Sequence, residues 1–246
     1  MNKPIWFPST QRIASSTIHE FSLHIAAKYS LEISSYQDLH IWSINNPEAF
    51  WQEIWQFCSL KGQLDTNSII KNPDKLISSI WFEGSQLNFA ENLLSKDNKE
   101  PAIISYSEGQ GRKTLSWQEL KQQVSSVSNY FESIGIKEGD RVAAVSANVP
   151  EAIVCMLATA SIGAIWSSCS PDFGSRGLLD RFGQIEPKVL IATTAYNYNG
   201  KKFETEEKIK FLKENISSIE EIISLPNELI KAVSYTHLTL PTICSV

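Results

Sequence analysis

From Arg141 to Leu225 short apolar runs alternate with amphipathic stretches of helix length, and this alternation limits the fold more than any other feature of the chain. The run Arg141 to Ser146 reads as a buried strand, and Ala164 to Ser167, Val189 to Ala192 and Ile222 to Leu225 read as further short strands. Between them lie helical patterns. The first starts at Pro150 and carries Ile153, Met156, Leu157 and Ala160; the second carries Leu178, Leu179, Phe182 and Ile185; the third carries Phe203, Ile209, Leu212 and Ile216. Strands apolar on both faces and separated by helices predict a largely parallel sheet covered on both sides, with right-handed crossovers.

Upstream of Arg141 the same reading gives a strand over Ala102 to Tyr106 that pairs with Lys113 to Leu115 across Gly109 to Arg112. Ser116-Trp117-Gln118-Glu119 is a capping box opening a helix with Leu120, Val124, Val127 and Phe131 on its apolar face, and Gly135 ends it. The first stretch is different. Trp6, Trp42, Trp51, Trp55 and Trp81 crowd into it, and no alternation marks strands. Ser16 or Thr17 caps a helix over Ser15 to Lys28 with Ile18, Phe21 and Ile25 facing inward. Asn46 and Pro47 open another, with Phe50, Ile54, Trp55 and Cys58 at helical spacing. The expected class is therefore α/β: a helical N-terminal extension over 1–94, then over 95–232 the first part of a largely parallel α/β sheet domain that is truncated.

The last segment, 233–246, reads VSYTHLTLPTICSV, and its first six residues match one translated frame of the end sequence of a transposase-based sequencing adapter. It reads as a non-native tail with no part in the expected fold.

Composition narrows the classes. With a net charge of -5 and no basic block longer than Lys201-Lys202, the chain lacks the basic stripe of a nucleic-acid binder. No apolar run is long enough to span a bilayer, and no apolar segment precedes a cleavage site near the N-terminus. Cys58, Cys155, Cys169 and Cys244 follow no metal-ligand spacing, and Cys155 sits in an apolar helical run as a core residue. His19, His24, His40 and His237 form no cluster, so no metal site is expected. Scattered thiols fit a reducing, cytoplasmic location.

Several segments together resemble one family. Trp6-Phe7-Pro8-Ser9 with Arg12-Ile13-Ala14, then Tyr36, Leu39, Trp42-Ser43, Pro47, Phe50-Trp51 and Trp55, match the opening and the N-terminal helical region of acetoacetyl-CoA synthetases. Trp81-Phe82-Glu83-Gly84 followed by Leu87 to Leu93 resembles a segment shared with acetyl-CoA synthetases. Gly139 to Val142 and Pro150-Glu151-Ala152 are widespread in adenylate-forming enzymes. The loop Trp166-Ser167-Ser168-Cys169-Ser170-Pro171-Asp172-Phe173-Gly174 discriminates most strongly, because acetyl-CoA synthetases carry a different, Gly-containing loop there.

The resemblance implies an ATP-dependent acid–thiol ligase. In that family a carboxylate attacks the α-phosphate of Mg-ATP to give an acyl-adenylate and pyrophosphate, and the CoA thiol then displaces AMP. The expected substrates are acetoacetate, ATP with Mg2+, and CoA, with no nucleic-acid or membrane partner. The family's hydroxyl- and glycine-rich phosphate loop ending in Lys has no counterpart here: Gly109/Gly111 and Gly174/Gly177 lack both the hydroxyl-rich run and the lysine. No catalytic residue is therefore carried over, and an N-terminal fragment that is inactive by itself is expected.

One ligand contact is carried over. In the related acetyl-CoA synthetases a basic loop after the strand matching Val189 to Ala192 meets the nucleotide end of CoA. Gly200, Lys201 and Lys202 fall at that position, with Tyr198 in place of an arginine. A lysine would neutralise a phosphate, and the glycine would allow close backbone approach. A solvated Asn-Gly turn with two surface lysines is the plainer reading of the same residues. Asp172 is expected to orient Arg176 or the following helix N-terminus, and Asp180-Arg181 to form a surface pair. Ser167, Ser168 and Ser170 have no nearby His base and no G-x-S-x-G turn. Two other readings stand beside the first: a ligase for acetate, propionate or another short acid, and a non-catalytic nucleotide-binding module.

Overall fold

The computed structural model describes residues 5–75, 77–108 and 111–225. The 233–246 tail lies outside the described residues. The chain divides into two compact units, Met1–Ser85 and Gln86–Val246.

The first unit opens with four helices, α1 (Thr10–Ala14), α2 (Thr17–Tyr29), α3 (Tyr36–Asn45) and α4 (Pro47–Phe57), followed by a two-residue antiparallel pair, β1 (Ile70–Lys71) with β2 (Ile80–Trp81). Serines start the first three helices. Ser9 Oγ accepts from Arg12 N–H at 3.2 Å, Ser16 Oγ from His19 N–H at 3.3 Å, and Ser35 and Asp38 form a capping box. Asn46 precedes α4 as expected, but its side chain does not cap that helix. Its Nδ2 donates to Trp42 O at 3.0 Å and so closes α3 instead.

Phe21, Ile25 and Leu39 form the small buried core of this unit, with Trp42, Phe50, Ile54 and Phe57 packed around them. Phe21 meets Phe50 and Phe57 edge-on at 5.9 and 5.0 Å. Ile18, expected on the same face, is 50% exposed. The helix presents its i, i+4 pair Phe21/Ile25 inward, while Ile18 lines an open apolar cavity with Phe21, Leu39 and Phe57. Beside this core sits a charged group, Glu53, only 2% exposed. Lys28 Nζ at 2.6 Å, His24 Nε2 at 2.7 Å and Tyr29 O–H at 3.0 Å all reach it from α2. Burial opposes ionisation of Glu53, but the hydrogen bonds from Lys28, His24 and Tyr29 together outweigh it and hold the carboxyl below its usual range.

The second unit begins with α5 (Phe89–Leu93), the hairpin β3 (Pro101–Ser107) and β4 (Gly111–Ser116), and α6 (Trp117–Ser133). There follow β5 (Arg141–Val145), α7 (Pro150–Ser161), β6 (Ile165–Cys169), α8 (Ser175–Ile185) and β7 (Val189–Thr193). A second hairpin, β8 (Ala195–Tyr198) with β9 (Lys201–Glu204), then leads to α9 (Glu206–Asn215) and β10 (Glu221–Leu225). Strands β10, β7, β5 and β6 form one sheet in that order, every neighbouring pair parallel.

Period-two alternation explains why helices cover both faces. Val142, Ala144, Val189, Ile191, Ile223 and Leu225 face α6 and α7, whose Leu120, Val124, Phe131, Val154 and Leu157 complete one core. Ala143, Val145, Leu190 and Ala192 face the other way, against Leu178 and Phe182 of α8 and Ile209 and Leu212 of α9. Cys155 is inside the first core, and burial pushes its thiol up to about 12. The expected capping box at Ser116 and Glu119 is present. Helix α5 belongs with the sheet unit: Asn88 Oδ1 caps it by accepting from Glu91 N–H at 3.0 Å, while Asn88 Nδ2 donates to Ser161 O at 2.9 Å at the end of α7.

Candidate functional site

In an open parallel sheet the loops leaving the carboxyl ends of the strands gather ligands where successive connections turn to opposite sides. Here the connection from β5 runs through α7 to β6 on one flank, and the chain then returns to place β7 on the other flank of β5. The switch point therefore lies between β5 and β7. The two loops are tied there: Ala147 N–H donates to Thr193 Oγ1 at 3.2 Å. A cavity of about 280 Å³ opens beside them, with Asn148 and Glu151 on one wall, Tyr196 and Asn197 on the second, and Tyr106 and Glu108 of the first hairpin on the third.

The β8–β9 hairpin projects from this edge. Its Asn199 and Gly200 have φ of 50° and 72°, the pair of left-handed residues that a two-residue type I′ turn requires. The register sets Ala195 opposite Glu204, Tyr196 opposite Phe203, Asn197 opposite Lys202 and Tyr198 opposite Lys201. Alternation along each strand then sorts the side chains. Tyr196, Tyr198, Lys201 and Phe203 share one face; Asn197, Lys202 and Glu204 share the other.

The structure thus places Gly200 at the turn and Lys201 and Lys202 side by side on β9, but aims the two lysines in opposite directions. Lys202 Nζ lies 2.6 Å from Glu204 Oε1, and that contact keeps its ammonium charged to higher pH than usual. Lys201 has no ion pair or hydrogen-bond partner among the described residues. Gly200 N–H donates to Glu108 Oε1 at 2.6 Å, so a carboxylate already occupies the backbone donor at the turn. Tyr198 is 66% exposed.

The Trp166 to Gly174 loop runs from edge strand β6 into α8. Asp172 does not pair with Arg176. Its Oδ1 accepts from Tyr196 O–H at 2.5 Å and its Oδ2 from Ser170 Oγ at 3.0 Å. The Tyr196 hydrogen bond, followed by that from Ser170, lowers the Asp172 carboxyl, and the same contact pushes the Tyr196 phenol up to about 12. Arg181 likewise leaves Asp180 aside. It lies over the Phe173 ring at 4.4 Å and donates to Gly177 O at 2.9 Å.

Sequence reading located neither Glu108 beside Gly200 nor Asp172 beside Tyr196, and it put Phe203 in a helix rather than in β9. The hairpin did leave a signal at its turn, the Asn199-Gly200 pair. The pairing of Asp172 with Tyr196 left none. Among the described residues, no three His, Cys, Asp or Glu side chains come together as a metal set, and no helix is long and apolar enough to cross a membrane.

Comparison with known proteins assigns this architecture. The family model described as AMP-binding enzyme matches residues 90–236, and that of the acetyl-coenzyme A synthetase N-terminus matches 36–93. An acetoacetyl-coenzyme A synthetase from Rhizobium meliloti is 38% identical over 88% of this chain, and one from Danio rerio 35% identical over 92%. A malonamoyl-CoA synthetase from Penicillium aethiopicum is 38% identical over 76%. The structure of the acetoacetyl-CoA synthetase from Streptomyces lividans superposes with a TM-score of 0.90 at 28% identity, over 99% of this chain and 40% of its own. The chain spans about a third of the length of the first two relatives, 33% and 34%. With a family model covering more than half its residues, the chain belongs to the AMP-binding enzyme family and is similar to acetoacetyl-CoA synthetases within it.

Proposed function

We propose that the protein to which this chain belongs is an AMP-forming ligase that joins a small β-carbonyl acid, acetoacetate first, to CoA through an acyl-adenylate. ATP and Mg2+ would be its co-substrates. By sequence, residues 1–94 are taken as the helical region and 95–232 as the first part of the adenylation domain, with α5 at the end of the former packing in the sheet unit. The 38% identity to an acetoacetyl-CoA synthetase over 88% of the chain carries this reading. The equal identity to a malonamoyl-CoA synthetase widens it to a class of acids. Acetoacetate and malonamate both carry a carbonyl two carbons from the carboxylate and differ only in a methyl against an amino group. A site built to hydrogen-bond that carbonyl would reject butyrate, which lacks it, because a buried donor would be left unpaired.

At the hairpin, Lys201 would meet a phosphate at the nucleotide end of CoA, with Gly200 allowing close approach. Lys202, held by Glu204 on the opposite face, would add only longer-range positive charge. The turn fits an anion on two counts: an open ammonium on one face, and a backbone N–H that already donates to a carboxylate. A phosphate reaching Gly200 N–H would have to displace Glu108.

Pyrophosphate release by the full-length protein with ATP and each acid tests the reading. Acetoacetate is expected to give the highest kcat/KM, malonamate a measurable rate, and butyrate a rate lower by orders of magnitude. A clear preference for acetate, propionate or butyrate would move the protein to another branch of the family. No acid-dependent release at all would favour a nucleotide-binding module.

A further inference from the structure

The loop that most sets this sequence apart, Trp166 to Gly174, makes one side-chain contact that reaches the hairpin, and we infer that Tyr196 and Asp172 form a positioning pair that holds Lys201 in place for CoA. The inference rests on the reading of Lys201 as the phosphate contact. Three features of the geometry carry it. Tyr196 O–H donates to Asp172 Oδ1 at 2.5 Å, spanning from β8 to the β6–α8 loop. The Tyr196 ring stacks on Phe203 of β9 at 5.4 Å and 18°, so the restraint on one strand is passed to the strand bearing Lys201. Tyr196, Phe203 and Lys201 also share one face of the hairpin, which puts the anchor and the ammonium on the same side.

The loop end of the anchor is itself fixed. Ser170 Oγ holds the second oxygen of Asp172, and Lys208 of α9 donates to Pro171 O at 2.6 Å. At its base the hairpin is closed by Thr205, whose N–H donates to Thr194 O at 2.9 Å and whose hydroxyl donates to Thr193 O. At its tip the tie is Glu108, the group a phosphate would displace. With CoA bound, the Tyr196–Asp172 bond would remain, among the described residues, to hold the strand pair in orientation between base and tip. A lysine side chain is long and flexible, so its strand must be held for its ammonium to stay in reach of one phosphate.

The test is steady-state kinetics on the full-length protein, varying CoA and ATP separately, for Tyr196→Phe, Asp172→Ala, the double variant and Lys201→Ala. Tyr196→Phe keeps the ring and its stack on Phe203 and removes only the hydroxyl. It is expected to raise KM for CoA roughly three- to tenfold, the worth of one net hydrogen bond, with KM for ATP at the wild-type value. Asp172→Ala should do the same, and the double variant should be no worse than either single, as for two ends of one bond. An unchanged CoA KM in Tyr196→Phe, alongside a raised one in Lys201→Ala, overturns the positioning role and leaves the phosphate contact standing. An unchanged CoA KM in Lys201→Ala removes the phosphate contact itself. KM values for CoA and ATP that rise together in Tyr196→Phe show general damage and also overturn the pair.

Discussion

The two units solve the same burial problem with different means. In the sheet unit β5 and β7 are buried on both faces, so apolar side chains fill two cores and polar chemistry is displaced to the strand ends. In the first unit the helices surround a core of three buried apolar residues, and a buried carboxylate with three donors links α2 to α4. A sheet with two apolar faces needs no charge to specify its packing. A small helical core gains order from a polar hub, at the expense of sensitivity to acid.

The largest expected effect is in the sheet unit. Phe131 is fully buried against the sheet, and Phe131→Ala should cost about 3–5 kcal/mol through lost burial and the cavity left behind. Denaturant unfolding followed by far-ultraviolet circular dichroism would read it. A loss under 1 kcal/mol would mean that this core collapses around the gap.

Glu53→Gln comes next, at about 1–3 kcal/mol. The side chain is buried, but His24 and Lys28 are partly exposed and screened, so the cost stays below that of breaking a fully buried pair. Its signature is acid dependence. The folded pKa is depressed, so the stabilisation is complete above the unfolded value near ~4.3 and is lost as pH falls through the folded value. Tryptophan fluorescence reports mainly on the first unit, since Trp6, Trp42, Trp51, Trp55 and Trp81 lie there. The wild-type midpoint should fall with acid below that pH more steeply than that of the Gln variant. Parallel curves would show that the hub is already neutral.

A smaller effect is expected at the hairpin tip. Glu108→Gln removes a carboxylate from the Gly200 N–H and should lower KM for CoA roughly twofold, since exposed charges are screened. A raised KM would mean that Glu108 shapes the turn for CoA rather than competing with it.

What the sequence disclosed follows the range of each interaction. The strands Arg141–Val145, Val189–Thr193 and Glu221–Leu225, and the helix that Ser116 caps, are marked by patterns within a few residues, so periodicity and capping find them. The Asn-Gly turn was legible and its flanking strands were not, because Tyr196 and Phe203 carry no apolar alternation strong enough to separate a hairpin from a loop. Glu53 and its donors are 24 to 29 residues apart, and Asp172 and Tyr196 are 24 apart. Only the folded chain brings such groups together, so no local pattern announces them. The opposite orientation of Lys201 and Lys202 follows from strand geometry and became readable once β9 was known to be a strand.

The claim that this hairpin serves CoA through one lysine is tested most directly by comparing Lys201→Ala with Lys202→Ala in the full-length protein, with KM for CoA as the readout. Lys201→Ala should raise it roughly five- to tenfold, the worth of one partly exposed charged contact, and Lys202→Ala should change it by no more than about twofold. A wild-type KM for CoA in Lys201→Ala, or a larger effect at Lys202 than at Lys201, would contradict the claim.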